Sequence, residues 1–235
     1  MFRKNCENDD EENSNRRNCP LQIIESPSGK IIDFYLYEDI YSVGQYIDFL
    51  RAVELAKNED LIKIHINCGG GDVDTAWNIF DALKQSQANV SISVEGCCAS
   101  AASMIMLAGN EWKVNPHSFV MIHAYSGYSY GKRNELIAQS DFERRYIDKK
   151  FREMYKDFLT PEEIELCLEG RDYYFDADET LERLQRFQED RLKKQAAIQQ
   201  VAEKYQDIMN AEIQAIIEGK NQEPADSKKK AVKKS

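Results

Sequence analysis

Between Leu61 and Tyr125 one pattern recurs: an apolar strand-like run, a break of glycine or other small residues, then a helix-compatible run. "LIKIHIN" alternates as a strand does, Gly69-Gly70-Gly71 ends it, and Val73, Trp77, Phe80 and Leu83 mark one face of a helix. "NVSISVEG" is the next strand, "CCASAASMIMLAG" a short buried helix, and "WKV" and "FVMIHAY" are further strands. Strands separated by helices cannot pair as tight hairpins. The pattern therefore predicts an α/β domain built on largely parallel pairing.

The flanks extend this organisation. "KIIDFYLYEDI" reads as a strand, and Ser42 is placed to cap a helix with Val43, Tyr46, Ile47, Leu50 and Val53 at helical spacing. Residues 134–158 are strongly helical and rich in aromatic side chains. Thr160-Pro161-Glu162-Glu163 supplies an N-cap, a first-turn proline and first-turn acid for a new helix ending near Gly170. From Glu179 to Glu218 helix formers run without glycine or proline, predicting a long terminal helix whose apolar positions do not keep a strict heptad. Residues 1–20 are acidic and polar with little to bury, and are expected to form a mobile arm. Residues 220–235 read as a basic disordered tail.

Charge and cysteine usage narrow the function classes. A net charge of -10 argues against a general nucleic-acid binder, which needs a concentrated positive face. No apolar run approaches the roughly 18 to 20 residues that span a bilayer, and the first residues lack a secretory apolar segment. A cytoplasmic location is expected. The six cysteines show no C-x-x-C spacing and the three histidines supply no obvious zinc site, so the thiols are read as reduced and no metal is expected. "NVS" at Asn89 fits a glycosylation acceptor but leads into an apolar strand, where chance explains it.

"EGCCASAAS", Glu95 to Ser103, carries the chemistry. Ser100 sits where a strand passes into a helix, beside free backbone N–H groups and the positive end of the helix dipole, a place suited to an oxyanion. By itself such a serine more often serves close packing than catalysis. A serine hydroxyl needs a base, and the base an orienting group. His123, ending "FVMIH", is the candidate base; His65 is read inside a strand and His117 in a turn. Ser103, about one helical turn on, competes with Ser100. "INCGGGDV" adds a glycine turn where backbone can approach a ligand closely.

Taken together, Ile66-Asn67-x-x-Gly70-Gly71-x-Val73, Gly96-x-x-Ala99-Ser100-Ala101, Val120-Met121-Ile122-His123 and Arg171-Asp172 resemble the successive signatures of the ClpP serine peptidases. They occur in order over about residues 60 to 185. The resemblance implies a ClpP/crotonase-like repeated β-β-α core with a protruding handle helix at about 133–159, within a peptidase domain of residues 21–185 followed by a helical extension at 186–219. It implies Ser100 as nucleophile, His123 as general base and then acid, Asp172 as the orienting carboxylate, and the Gly71 and Ala101 N–H groups as oxyanion hole. Asp176 and Asp178 compete with Asp172, but only Asp172 follows an arginine as in the family's pair. The order Ser, His, Asp differs from that of the α/β-hydrolases.

The same resemblance implies a homo-oligomer of stacked rings, joined through the handles, that cuts unfolded polypeptides in a closed chamber, with an AAA+ unfoldase as possible partner and no nucleic acid or membrane. No cofactor is implied. ATP would be consumed by the partner, since no Gly-rich loop ending in Lys-Ser or Lys-Thr occurs here. The chain departs from the pattern at Cys68-Gly69, where the family commonly has serine and proline, and at Ala124-Tyr125, where a glutamine-proline pair is usual. Beyond "YYFDADETLERLQ" it runs into the long helix in place of the family's glycine turn and strand. Other readings are a non-cleaving ring scaffold or regulator, a dedicated processing protease such as one for a viral head, and a crotonase-like acyl-CoA enzyme, which would not need the three side chains together.

Overall fold

The computed structural model of the chain describes residues 20–127 and 130–220. But for their boundary residues, the acidic arm (1–20) and the basic tail (220–235) lie outside them. Contacts divide the chain into one unit ending at Phe187 and a second beginning at Gln188.

The first unit is a seven-stranded sheet with helices. The strands are β1 (Leu21–Ser26), β2 (Gly29–Leu36), β3 (Leu61–Cys68), β4 (Asn89–Ala99), β5 (Glu111–Val114), β6 (Phe119–Ile122) and β7 (Tyr173–Phe175). The helices are α1 (Ile47–Glu54), α2 (Val73–Gln85), α3 (Ala101–Met106), α4 (Arg133–Tyr155), α5 (Pro161–Leu168) and α6 (Ala177–Lys220), which crosses into the second unit. Strand order is β1-β2-β3-β4-β6-β7, with β5 also on β4. The central pairs are parallel, and β1/β2 and β6/β7 are antiparallel. The mixed α/β architecture, with its repeated strand-helix core and long terminal helix, is the expected ClpP-like fold.

Period-two alternation explains the core. Ile62, Ile64 and Ile66 of β3 and Val90, Ile92 and Val94 of β4 point to one face of the sheet and are 0–1 % exposed. Ala76, Ile79 and Leu83 of α2 and all of α3 bury there too. β4 is long because it serves two neighbours on one edge. Its first half, Ser91 to Val94, pairs with β5, and Cys97 to Ala99 with β6. Cys97 and Cys98, expected in a helix, are therefore strand residues: they are held by pairing to Phe119 and Val120, and the helix starts only at Ala101.

Three local expectations are corrected similarly. The β1-β2 hairpin places "LQIIES" in a strand that the sequence reading left out. After Ser42 the chain forms a short 3-10 turn before α1, Ser42 makes no side-chain cap, and Val43 and Ile47 are exposed while Tyr46, Phe49 and Val53 are buried. α4 ends at Tyr155, with a turn taking the chain to Thr160. Only Phe151, Met154 and Tyr155, at its C-terminal end, are buried, whereas Ile137, Phe142 and Tyr146 are exposed. The predicted N-cap does start α5, as one half of a capping box: Thr160 accepts from the Glu163 N–H, and the Thr160 N–H donates to the Glu163 carboxylate.

Candidate active site

The parallel strands β3, β4 and β6 deliver their C-terminal ends to one place, where open α/β sheets bind ligands. β3 ends at Cys68 and the glycine turn follows; β4 ends at Ala99 and Ser100 follows; β6 ends at Ile122 and His123 follows. The Ser100 N–H donates to the Met121 carbonyl at 2.8 Å, tying the end of β4 to β6. That register brings His123 to the serine: His123 Nε2 and Ser100 Oγ are 2.7 Å apart.

Ser100 has φ 54° and ψ -126°, the only positive φ among the described non-glycine residues. A strained residue between strand and helix lifts its side chain out of the packed layer, as at a nucleophile elbow. The small neighbours are then explained. Ala99, Ala101 and Ala102 are buried, and a side chain at position 70 would place its Cβ 2.7 Å from Ser100 Cβ, 2.8 Å from the Ala99 carbonyl oxygen and 3.1 Å from the Ala101 nitrogen. The glycine turn lies directly against the serine.

Gly71 forms a parallel bridge to Ile40. The Ile40 N–H donates to the Gly70 carbonyl at 2.7 Å and the Asp72 N–H to the Ile40 carbonyl at 2.8 Å. Because successive backbone groups alternate in direction, the Gly71 N–H faces away from Ile40. The Ala101 N–H is in the first turn of α3, where backbone donors lack intrahelical acceptors. Asp72 anchors the following helix by accepting from the Thr75 N–H at 2.7 Å.

Asp172 precedes β7, which runs antiparallel to β6 with Ile122 opposite Tyr173. One further step of that register sets His123 opposite Asp172. Asp172 is exposed, and among the described residues no hydrogen bond joins its carboxylate to His123. Its charge is felt by Cys167, whose thiol is pushed up to about 11, by burial first and by Asp172 second. The structure thus joins serine to histidine and places the carboxylate across the strand pair, without the third contact.

The competing residues are occupied elsewhere. Ser103 is fully buried, donates to the Ser100 carbonyl at 2.7 Å and shares a 2.7 Å hydrogen bond with the Tyr155 hydroxyl, so it buttresses the turn from beneath. Asp176 accepts from the Glu179 N–H at the start of α6, and Asp178 sits in that helix's first turn. His117 is exposed in a turn. His65 lies between Glu95, 2.7 Å from Nδ1, and Asp33, 3.4 Å from Nε2, and stacks on Tyr35. Tyr37 also donates to Glu95, which pushes its phenol up to about 12. This polar network spans β2, β3 and β4 and was invisible to periodicity. Burial, with Cys68 and Cys97 adding, pushes the Cys98 thiol well up, so it is held protonated and non-nucleophilic.

Among the described residues no helix is long and apolar enough to cross a membrane, and no group of His, Cys, Asp and Glu is arranged to hold a metal ion.

A family model described as Clp protease matches residues 30–183. A protein named ATP-dependent Clp protease proteolytic subunit from Oltmannsiellopsis viridis is 31% identical over 139 residues, covering 52% of this chain and 70% of the relative. Proteins of the same name from Deinococcus radiodurans (30% over 125 residues; 52% and 61% covered) and Bacteroides fragilis (31% over 129 residues; 54% and 58% covered) are also similar.

Proposed function

The chain belongs to the Clp protease family, and from that premise we propose that it is a serine endopeptidase cutting unfolded polypeptides inside an oligomeric chamber. The observation that carries this reading is the 2.7 Å contact of His123 Nε2 with Ser100 Oγ at a strained strand-to-helix turn. As Ser100 Oγ attacks a peptide carbonyl, His123 Nε2 takes its proton, and the carbonyl oxygen becomes an oxyanion that accepts from the Gly71 and Ala101 N–H groups. The tetrahedral intermediate collapses, the C–N bond breaks, and His123 returns the proton to the leaving amine. Water, deprotonated by the same imidazole, attacks the acyl-Ser100 ester; the carboxylic product leaves and serine is regenerated.

Asp172 has the role of orienting His123 through Nδ1 and stabilising the imidazolium. Closing the step from strand partner to hydrogen-bond partner would complete the site. Stacked rings of copies, joined through α4, would confine the chemistry, and an AAA+ unfoldase would be the ATP-consuming partner that feeds it.

A second reading, a non-cleaving ring subunit, draws on the missing Asp172–His123 hydrogen bond. One experiment separates the two: the native particle's mass is measured and the same sample is given an unstructured protein and a short fluorogenic peptide. Cleavage by a multi-subunit particle, lost in His123→Ala, supports the peptidase. A particle that forms but leaves both substrates intact supports the scaffold.

A further inference from the structure

The second unit contains the part of α6 that follows Gln188, and the family match ends at residue 183, before it. Successive residues of a helix are rotated by about 100°, so Ile198, Val201, Tyr205, Ile208, Met209 and Ile216 fall on one face. Gln200, Glu203, Asp207 and Gln214 fall on the other. Each of the six apolar side chains is exposed, from 46% at Ile208 to 69% at Ile198. Amphipathic helices typically turn such a stripe toward another apolar surface.

Two charges interrupt the stripe, and their placement specifies the cover. Lys194 and Glu212 are about five turns apart and share the azimuth of the apolar residues. A second copy lying parallel would set lysine on lysine and glutamate on glutamate. A copy reversed about the midpoint near Glu203 sets each Lys194 on the other's Glu212, Ile198 on Ile208 and Val201 on Tyr205. Six side chains contributing on the order of 100 Å² each would remove about 1,200 Å² of surface from two copies, the lower bound for a stable interface.

We propose that residues 190–216 of α6 pair antiparallel with the same segment of a second copy, with Lys194 of each facing Glu212 of the other. This inference stands independently of the peptidase reading. The pairing is isologous and self-limiting, so it joins copies two at a time. It holds copies together through a segment that the family match does not include.

The test uses full-length chain in which Ile198→benzoylphenylalanine is introduced, with half of the copies isotope-labelled, followed by irradiation and tryptic mapping. The pairing predicts inter-copy adducts joining peptide 195–204 to peptide 205–220. Adducts between two copies of peptide 195–204 would show parallel helices and overturn it, as would adducts only to residues before 188 or no inter-copy adduct. Lys194→Glu or Glu212→Lys alone should lower the adduct yield by about tenfold or more, and the double reversal should restore it. Single reversals without effect, or a double variant that stays low, would also overturn the proposal.

Discussion

Gly70→Ala tests whether the glycine turn sets the position of the nucleophile. The added Cβ would lie 2.7 Å from Ser100 Cβ and 2.8 Å from the Ala99 carbonyl oxygen, and Gly70 has φ +107°. Neither contacting atom is the tip of a flexible side chain, so turn and serine must separate by about an ångström to restore ordinary contact. A displacement of that size costs roughly a hundredfold in rate, and moving an oxyanion donor costs a hundred- to thousand-fold. The backbone strain adds about 1–3 kcal/mol of destabilisation, or roughly 4–8 °C in melting temperature near 2 kcal/mol. Gly69→Ala is the control: its Cβ would meet only the Asp39 carboxylate, at 3.3 Å, and its φ is unremarkable. Phosphonylation by a fluorophosphonate and thermal melts read both variants. If Gly70→Ala is phosphonylated within a few-fold of Gly69→Ala and melts with it, the packing argument is wrong.

Under the proposed triad, Asp172→Asn should slow peptide cleavage by about a hundredfold or more, while loss of an exposed carboxylate leaves the melting temperature within a degree or two; unchanged kinetics would remove Asp172 from the site. Arg183 is bound by Glu163 at 2.7 and 2.8 Å and covers the Phe175 ring, so Arg183→Leu should destabilise by about 3 kcal/mol in denaturant unfolding by leaving Glu163 partly buried without its partner. Arg183 holds the Glu163 carboxyl below its usual range. Its contribution is therefore complete above the unfolded pKa near ~4.3 and is lost as pH falls through the lower folded value, so acid titration of stability should be shallower in Arg183→Leu. Tyr155→Phe should cost only about 1 kcal/mol, since Ser103 keeps its bond to the Ser100 carbonyl.

The sequence was most legible where a single face is buried. The isoleucines of β3, the valines of β4 and the capping box of α5 each specify an element locally, and the structure follows them. It was least legible where tertiary pairing decides between states that local preference leaves equal. Cys97 to Ala99 are small enough for either helix or strand, and β6 settles the choice. The hairpin strand β1 has four exposed residues in succession and so no alternation to read. The serine and histidine were placed by motif order, and in the structure His123 Nε2 and Ser100 Oγ are 2.7 Å apart. The position of Asp172 depends on a three-residue strand, too short for any periodic signal.

The most direct test of the central claim is mass-spectrometric mapping of the residue phosphonylated by a fluorophosphonate in the full-length chain. The account predicts one modified residue, Ser100, with labelling abolished in Ser100→Ala and strongly slowed in His123→Ala. Label on another residue, or full-strength labelling of Ser100→Ala, would contradict it.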